Sequence, residues 1–358
     1  MRFEQNFIFW IFWIAVLLVF AGLLFLLHHI LLPFVVGAAL AYLLDPLANR
    51  LSKRGMSRLV AALVILAGFV IVFAGAFVLV APVLVNQLSA FIDHVPGYVQ
   101  RLQAVITDPS HPWLKTVIGS SAGAGDWSAS ALINKSIAYL TDVLPTLLTK
   151  GEALLSLFSL LVITPVVAFY LLCDWNRVIK SFDDLIPLRQ RETVRSLVRE
   201  INRALSGYLH GQLLVCVILG AYYAIGLTLA GLSFGLLIGA VAGFLTFVPY
   251  VGSLTALVVS LGVALAQFFP EWTPILIVVG IVVVGQFLEG NVLSPKLVGK
   301  SVGLHPVWLI FALLACGYLF GFVGLLLAVP LAATAGVLTR FALGRYRESP
   351  LYTGKRRT

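Results

Sequence analysis

Long hydrophobic runs separated by short polar segments dominate the chain. The clearest runs occupy 7–27, 30–44, 59–85, 152–172, 206–230 and 275–290. Within them, several windows of ~20 residues carry almost no charge, which is enough for a helix to cross a hydrocarbon core of ~30 Å. The pattern therefore predicts a membrane protein with several spanning helices.

Two further regions have a different pattern, in which two apolar stretches are separated by a short interruption. The first region, 232–269, contains FVPYVGS (247–253), and the second, 305–339, contains CGYLFGFVG (316–324). Half-stretches of ~15 residues give ~22 Å of helix, which is too short for a full crossing. Each region is predicted to be either a tilted helical hairpin or a re-entrant pair of half-helices. The predicted fold is an all-α integral membrane protein with about eight transmembrane helices, including these hairpins.

The composition supports this class. Of 358 residues, 60% are hydrophobic and 11% are charged, whereas a soluble protein carries about 25% charged residues. The run 7–27 is too long for a signal-peptide core and no small-residue cleavage site follows it, so it is predicted to remain as the first span. The cysteines Cys173, Cys216 and Cys316 are isolated in or beside apolar runs, which indicates packing residues.

The distribution of basic residues predicts the orientation. The chain has 24 Lys and Arg against 15 Asp and Glu, a net charge of +9. Cytoplasmic segments are enriched in Lys and Arg, which places 45–58, 174–205, 291–304 and both termini inside. The tip 28–33 and the region 86–152 then lie outside. Positive-inside topology and contact with anionic lipid headgroups account for the net charge, so no nucleic-acid partner is predicted.

Two extramembrane regions follow from this topology. Residues 86–150 form an extracytoplasmic region with two amphipathic helical patterns, the first interrupted at Pro96. These helices either lie on the outer membrane face and neighbouring spans or form a cap over a pore. Residues 174–205 predict a charged helix–turn–helix with Pro187 at the turn, either a solvated connector or a lipid-phosphate contact.

The predicted organisation is N-terminal spans 1–85, the outer region 86–150, one span 151–173, the connector 174–205, a C-terminal core 206–343 and a basic tail 344–358.

Four glycines recur at four-residue intervals in GLSFGLLIGAVAGF; they are Gly231, Gly235, Gly239 and Gly243. This spacing places all four on one helix face, where missing side chains let another backbone approach. The pattern predicts tight helix packing, within one subunit or between subunits.

Charged residues are rare in the C-terminal core. Between 204 and 339 the only ones are Glu271, Glu289, Lys296 and Lys300. Glu289 differs from the others because it lies at or near the inner end of a span, one turn after Gln286. A carboxylate there should face protein or water, and it could exchange protons in a transport cycle. The alternative is a helix-end acid paired with Lys296 or a loop amide.

The interruption at 247–253 is the second candidate site. Backbone broken at Pro249 and Gly252 persists at membrane depth only if protein or water satisfies it, and discontinuous helices often line transporter substrate sites. A plain loop at the inner surface is the alternative. The predicted transport-path residues are Glu289, Gln286, Asn291, Pro249, Tyr250, Gly252, Gln212 and Pro295.

No catalytic constellation, nucleotide-binding loop or metal-ligand cluster occurs in the sequence, so neither an enzyme nor a cofactor or metal is predicted.

Six motifs in order carry a family resemblance. They are YLLDPLANRLSKRGMSR (42–58), VVAFYLLCDWNRV (166–178), YLHGQLLVCVILG (208–220), FVPYVGS (247–253), QFLEGNVLSPKLVGKSVGLHP (286–306) and FGFVGLLLAVPLAA (320–333). Together they resemble the autoinducer-2 exporter family, also called the PerM permease family, along nearly the whole chain. Cys173 and Ser253 are minor departures from the family pattern.

The resemblance implies a homo-oligomeric permease of the bacterial inner membrane with about eight spans, for which a pentamer is one candidate assembly. It also implies that the family's signature positions are Pro249, Gly252, Glu289, Asn291, Pro295, Gly299, Gly303 and Pro306. Some members are taken to export the quorum-sensing furanone autoinducer-2, and others are linked to exchange of sodium or lithium for protons. Three hypotheses follow: an exporter of a small polar solute, a monovalent cation/proton antiporter using Glu289, and a non-transporting membrane scaffold.

Overall fold

The structure, a computed structural model, describes residues 30–107, 151–188, 190–298 and 305–349, together with Gly22, Leu26, Leu27, Gly303 and Tyr352. Apart from those single residues, the predicted first span lies outside this description. So do the outer region from 108 to 150 and most of the basic tail. Across the described ranges the regular secondary structure is helical, without strands.

The described helices follow the predicted hydrophobic runs. They are α1 (Leu31–Lys53), α2 (Arg58–Thr107), α3 (Gly151–Asp184), α4 (Arg191–Leu229), α5 (Gly235–Leu245), α6 (Val251–Phe268), α7 (Trp272–Leu288), a π-helical segment (Glu289–Val298) and α8 (Pro306–Arg347). In the described part of the chain, six helices are long and apolar enough to cross a membrane, or seven when a bent pair within α3 is taken as one span. The prediction of an all-α integral membrane protein is confirmed.

Helix α2 differs from its predicted form. It runs without a break for 50 residues through both Pro82 and Pro96, a length of ~75 Å. A proline inside a helix removes one hydrogen bond and crowds the preceding turn, but the helical hydrophobic pattern continues on both sides of Pro96. The first amphipathic pattern of the outer region is therefore a continuation of the preceding span, and the expected interruption is wrong.

The charged connector has the predicted helix–turn–helix form. Helix α3 ends at Asp184, Pro187 lies in the turn, and α4 begins at Arg191. Arg195 closes the turn by donating two hydrogen bonds to the Asp183 carboxylate, the shorter of them 2.6 Å. Helix α4 then continues to Leu229, so the apolar stripe of the connector leads directly into a span.

The described helices group into two compact units. The first comprises the parts of the chain within 1–68, 158–210 and 298–358, and the second those within 69–157 and 211–297. In the first unit Gly37 allows α1 to lie directly on α3, because a Cβ there would come within 2.9 Å of the Thr164 carbonyl oxygen. Small residues such as Ala48 and Ala168 fill the core beside this contact.

Arg58 ties three helices of the first unit together. Its guanidinium forms an ion pair with Asp45 of α1 and also donates to the side chain of Asn49. Its Nε donates to the backbone carbonyl of Leu172 in α3, at 2.9 Å. The Arg58 and Asp45 side chains are only 17% and 22% exposed, so each depends on the other for charge compensation.

Replacing Arg58 with leucine is expected to lower the free energy of unfolding by about 2–3 kcal/mol. The substitution leaves the Asp45 carboxylate without its counter-charge and the Leu172 carbonyl without its side-chain donor. Thermal unfolding of the detergent-purified protein measures the effect. Arg54→Leu, an exposed arginine four residues earlier, is the control and should change stability by less than about 0.5 kcal/mol. Equal losses in the two variants would contradict this account of the network.

The α8 region is interrupted where the sequence predicted. Gly321 has φ 57° and ψ −138°, outside the helical range. Around it the chain folds back, since a Cβ on Gly324 would overlap the Cys316 carbonyl and one on Gly317 would lie 2.9 Å from Leu325. The two halves of α8 therefore form a helical hairpin with its tip at Gly321.

The second unit contains the other predicted interruption. Residues 232–269 form α5 and α6, which pack against each other, and α6 also packs against α7. The two helices are separated at 246–250, within the predicted segment. Helix α5 has 11 residues, or ~16 Å, about half of a hydrocarbon core. Its length favours the re-entrant alternative over a hairpin that crosses fully.

Candidate functional site

Helix α5 lies against the backbone of α4 through a face of glycines. A Cβ on Gly239 would overlap the backbone of Ala224, and one on Gly243 would overlap Gly220. Near the start of α5, a Cβ on Gly235 would lie 2.7 Å from the backbone nitrogen of Thr228. The contacts move down α4 as α5 advances, so the two helices run antiparallel. Three of the four regularly spaced glycines thus form a contact within one chain.

Gly231 does not share that face. It lies in the turn between α4 and α5, with φ +74° and open space where a Cβ would stand. The four-residue spacing suggested one helix through all four positions, but α5 begins only at Gly235. Gly231 supplies the left-handed conformation of the turn, which glycine adopts without steric cost.

Two glutamines from other helices bind the polar backbone at the start of α5. Gln87 of α2 accepts a hydrogen bond from the Leu237 amide at 2.9 Å. Gln267 of α6 accepts from the Ser233 amide at 2.8 Å and donates to the Gly231 carbonyl at 2.9 Å. Helix termini leave amides and carbonyls without partners, and side-chain amides supply partners here. The start of α5 and the end of α6 are thereby fixed beside each other.

A third glutamine holds the break between α5 and α6. Gln212 of α4 is 6% exposed and donates through Nε2 to the Thr246 carbonyl at 2.6 Å. Gly252 lies directly against Thr246, with no space for a side chain between them. Pro249 is half-buried, and Tyr250 is 54% exposed with the left-handed φ of 70°. Four predicted site residues therefore meet at this break, and Gln212 is the one that satisfies its backbone.

One face of α7 is apolar and buried in the protein, and Glu289 lies on the same side of the chain just after the helix. The buried residues of α7 are Ile275, Val278, Val282 and Gly285, at alternating spacings of three and four. Glu289 follows four residues after Gly285 and is half-buried, whereas Gln286 is exposed on a different face. The carboxylate thus belongs to the protein-facing side of α7.

Tyr223 of α4 packs against Gly285, the last residue of this buried face of α7. Its side chain is fully buried, and its hydroxyl has no hydrogen-bond partner among the described residues. The hydroxyl oxygen would be 2.5 Å from a Cβ on Gly285, so the ring occupies the space that the glycine leaves open. Glu289 is near enough for its charge to act on both Tyr223 and Cys216.

The remaining predicted residues lie on the π-helical segment. Asn291 and Pro295 are exposed, and the Asn291 side chain donates to the Phe287 carbonyl at 3.2 Å. Within the described residues the ion pairs do not include Glu289. An ion pair between Glu289 and Lys296 is therefore not seen among the described residues, and the other form of the alternative, pairing with a loop amide, stays a prediction. A π-helical segment in place of regular helix is frequent at functional sites.

The predicted residues thus fall into three groups, namely those at the break between α5 and α6, Glu289 on the protein-facing side of α7, and those on the exposed surface of the chain. Gln212, Pro249, Tyr250 and Gly252 meet at the hairpin break. Glu289 is half-buried within electrostatic reach of Tyr223 and Cys216, whereas Gln286, Asn291 and Pro295 are exposed. Sequence reasoning missed Gln87 and Gln267, although each is an uncharged polar residue close to an apolar run, as Gln212 is. Tyr223 gave no such signal, because its contact with Gly285 joins positions 62 apart in the numbering (285 − 223).

These features define the class of the protein. Within the described residues, the six or seven apolar helices long enough to cross a membrane are those of a multi-pass α-helical membrane protein in contact with lipid. The chain belongs to the AI-2E family of transporters, because the family model described as AI-2E family transporter matches residues 8–343.

Curated relatives agree with this assignment. The chain is 29% identical over 318 residues to "Putative transport protein YrrI" of Bacillus subtilis (strain 168), covering 86% of this chain and 85% of the relative. It is 30% identical over 314 residues to "Putative permease PerM" of Escherichia coli (strain K12), covering 87% of each. The names describe transport proteins, so the chain is a member of a membrane permease family.

Proposed function

We propose that this protein is a secondary transporter or facilitator that moves a small polar solute out of the cell, with autoinducer-2 as the first solute to test. The observation that carries the proposal is the α5–α6 hairpin, whose helical backbone stops at 246–250 and is held there by the Gln212 side chain. Membership of a transporter family supports transport over a scaffold role and over enzymatic activity.

The hairpin supports a transport path on physical grounds. Helix α5 covers ~16 Å, so its last carbonyls lie inside the hydrocarbon layer if its start lies at the surface. Irregular backbone at that depth is stable only when it is buried in protein or lines a water-filled cavity. Gln212 satisfies the Thr246 carbonyl, and the exposed Tyr250 lies on the other side of the break. Half-helices of this kind form substrate sites in other transporters.

We infer the orientation and assembly from the surface. The enrichment of Lys and Arg in 45–58, 174–205 and 340–358 supports a topology in which both termini are cytoplasmic, in a bacterial inner membrane. Gln286 is exposed beside the apolar surface of α7, and polar side chains are costly when they face lipid. Its exposure in one chain supports a homo-oligomer, for example a pentamer, in which it faces a neighbouring subunit or water.

A second candidate function rests on Glu289. Its carboxylate lies on the protein-facing side of α7 without an ion-pair partner among the described residues. An intramembrane acid of this kind is a suitable proton-exchanging group. This observation favours a sodium or lithium/proton antiporter as the alternative to solute export.

Reconstituted liposomes distinguish these functions. Proton movement is followed with an enclosed pH-sensitive dye after Na⁺ or Li⁺ is added, and release of enclosed autoinducer-2 is measured in parallel against protein-free liposomes. Solute release without cation-driven proton flux is the expected result for the exporter. Cation-driven proton flux alone would establish the antiporter, and the absence of both would contradict the proposal and favour the scaffold.

A further inference from the structure

Tyr223 is a fully buried polar residue within electrostatic reach of Glu289. Its side chain is 0% exposed, and its hydroxyl lacks a hydrogen-bond partner among the described residues. A buried hydroxyl without a partner costs free energy relative to a phenylalanine of the same shape. The packing of the ring alone therefore does not explain why the position carries a hydroxyl.

The Tyr223 hydroxyl can contact α7 because residue 285 is a glycine and leaves space for the ring. A Cβ at this position would lie 2.5 Å from the Tyr223 oxygen, so any other residue would push the ring away. Side chains on a helix lean toward its N-terminus and cover the preceding turn. The Glu289 side chain, one turn after Gly285, therefore leans over the same patch of α7 that the Tyr223 hydroxyl touches.

The neighbouring tyrosine provides a contrast on the same helix. The Tyr222 hydroxyl donates to the Ile281 carbonyl at 3.0 Å, so it already has a partner on α7. Tyr223 contacts the next turn of α7 at Gly285, which lies one turn before Glu289. The two tyrosines thus touch the same partner helix, one with its hydroxyl paired and one whose hydroxyl has no partner among the described residues.

Among the described residues, the other titratable groups recorded as electrostatic neighbours of Tyr223 or Glu289 are few. Helix α4 contributes Cys216 and Tyr222 beside Tyr223. Helix α6, which packs on α7, carries none, as its sequence VGSLTALVVSLGVALAQF shows. Lys296, on the segment that Glu289 begins, is exposed and forms no ion pair with it among the described residues. Tyr223 therefore offers the carboxyl group a buried hydroxyl that has no other partner among the described residues.

We propose that Tyr223 is a positioning residue for Glu289, and that its hydroxyl hydrogen-bonds the carboxyl group when Glu289 turns toward α4. A tyrosine hydroxyl can donate to an ionised carboxylate and can accept from a protonated one. It would therefore remain a partner for Glu289 before and after a proton or a cation is exchanged. The inference rests on the proposed function for its role in transport, but the hydrogen bond itself does not.

Infrared spectroscopy tests the hydrogen bond independently of transport. The carboxyl C=O band of Glu289 is recorded after acidification and is identified by its absence in Glu289→Gln. Hydrogen bonding lowers this frequency, so Tyr223→Phe is expected to move the band upward. Tyr222→Phe is the matched control, because it removes the same group from the adjacent residue and should leave the band unchanged. A band that is identical in wild type and Tyr223→Phe would overturn the inference.

Thermal stability and transport provide the second readout. Tyr223→Phe removes a hydroxyl without a protein partner, so the melting temperature is expected to stay the same or rise. Transport by the same variant is expected to fall at least about tenfold, since a hydrogen bond to a charged group is lost. If Tyr223→Phe shifts the infrared band but the wild-type protein moves no solute, the hydrogen bond is supported and the proposed function is refuted. Wild-type transport in Tyr223→Phe would overturn the positioning role.

Discussion

Replacing Gly239 with leucine is expected to break the packing of α5 against α4. A Cβ at this position would overlap the backbone of Ala224, and a backbone cannot move aside as a flexible side chain can. Helix α5 would have to separate from α4, which would break the contacts on both sides of the overlap. The expected loss is more than about 4 kcal/mol, at the extreme end for a single substitution.

Limited proteolysis and thermal unfolding of the detergent-purified protein measure this effect. The matched control is Gly280→Leu on α7, where no atom lies within 4 Å of the Cβ position. Because leucine has a higher helix propensity than glycine, this control is expected to be neutral or to gain up to about 1 kcal/mol. Similar stability in the two variants would contradict the close α4–α5 contact.

Replacing Glu289 with glutamine is expected to lower transport at least about tenfold, the equivalent of about 1.4 kcal/mol in the transport barrier. Glutamine has nearly the same shape but neither carries charge nor exchanges a proton. The half-buried location of Glu289 on the protein-facing side of α7 makes lipid contact a poor explanation for the acid. Liposome flux of the solute or cation identified for the wild type is the measurement.

Glu271→Gln is the control for that experiment. Glu271 is exposed in the loop before α7 and is the N-cap residue of that helix, without a side-chain capping hydrogen bond. The same chemical change there should leave flux within about twofold of wild type, since surface substitutions rarely have larger effects. Equal transport by wild type and Glu289→Gln would remove Glu289 from the proposed path.

The features that the sequence predicted well are those fixed by local chemistry. The hydrophobic runs specify helices, Pro187 marks the turn of the connector, and the segment 247–253 contains the break after α5. Each follows from the length of an apolar stretch or from residues that end a helix within a few positions. The interruption at 316–324 was predicted in the same way, and Gly321 is its turning point.

Features that depend on distant contacts could not be predicted from local patterns. Pro96 was expected to interrupt a helix, but the helix continues through it. Apolar residues at helical spacing on both sides of Pro96 favour helix, although proline removes one hydrogen bond. Gly231 has the spacing of a packing glycine but lies in a turn. The partners of the Thr246 carbonyl and of the α5 amides come from three other helices. No spacing within α5 indicates Gln87, Gln212 or Gln267 as those partners.

The claim that most needs a test is that the hairpin break lines a water-filled solute path. The measurement is reaction of Ser253→Cys with a membrane-impermeant thiol reagent, in a background where Cys173, Cys216 and Cys316 are replaced by alanine. Val258→Cys on the exposed surface of α6 is the lipid-facing control. The account predicts that position 253 reacts from at least one side of the membrane, that transported solute slows the reaction, and that position 258 does not react. A Ser253→Cys protein that is as unreactive as the Val258→Cys protein from both sides would contradict the account.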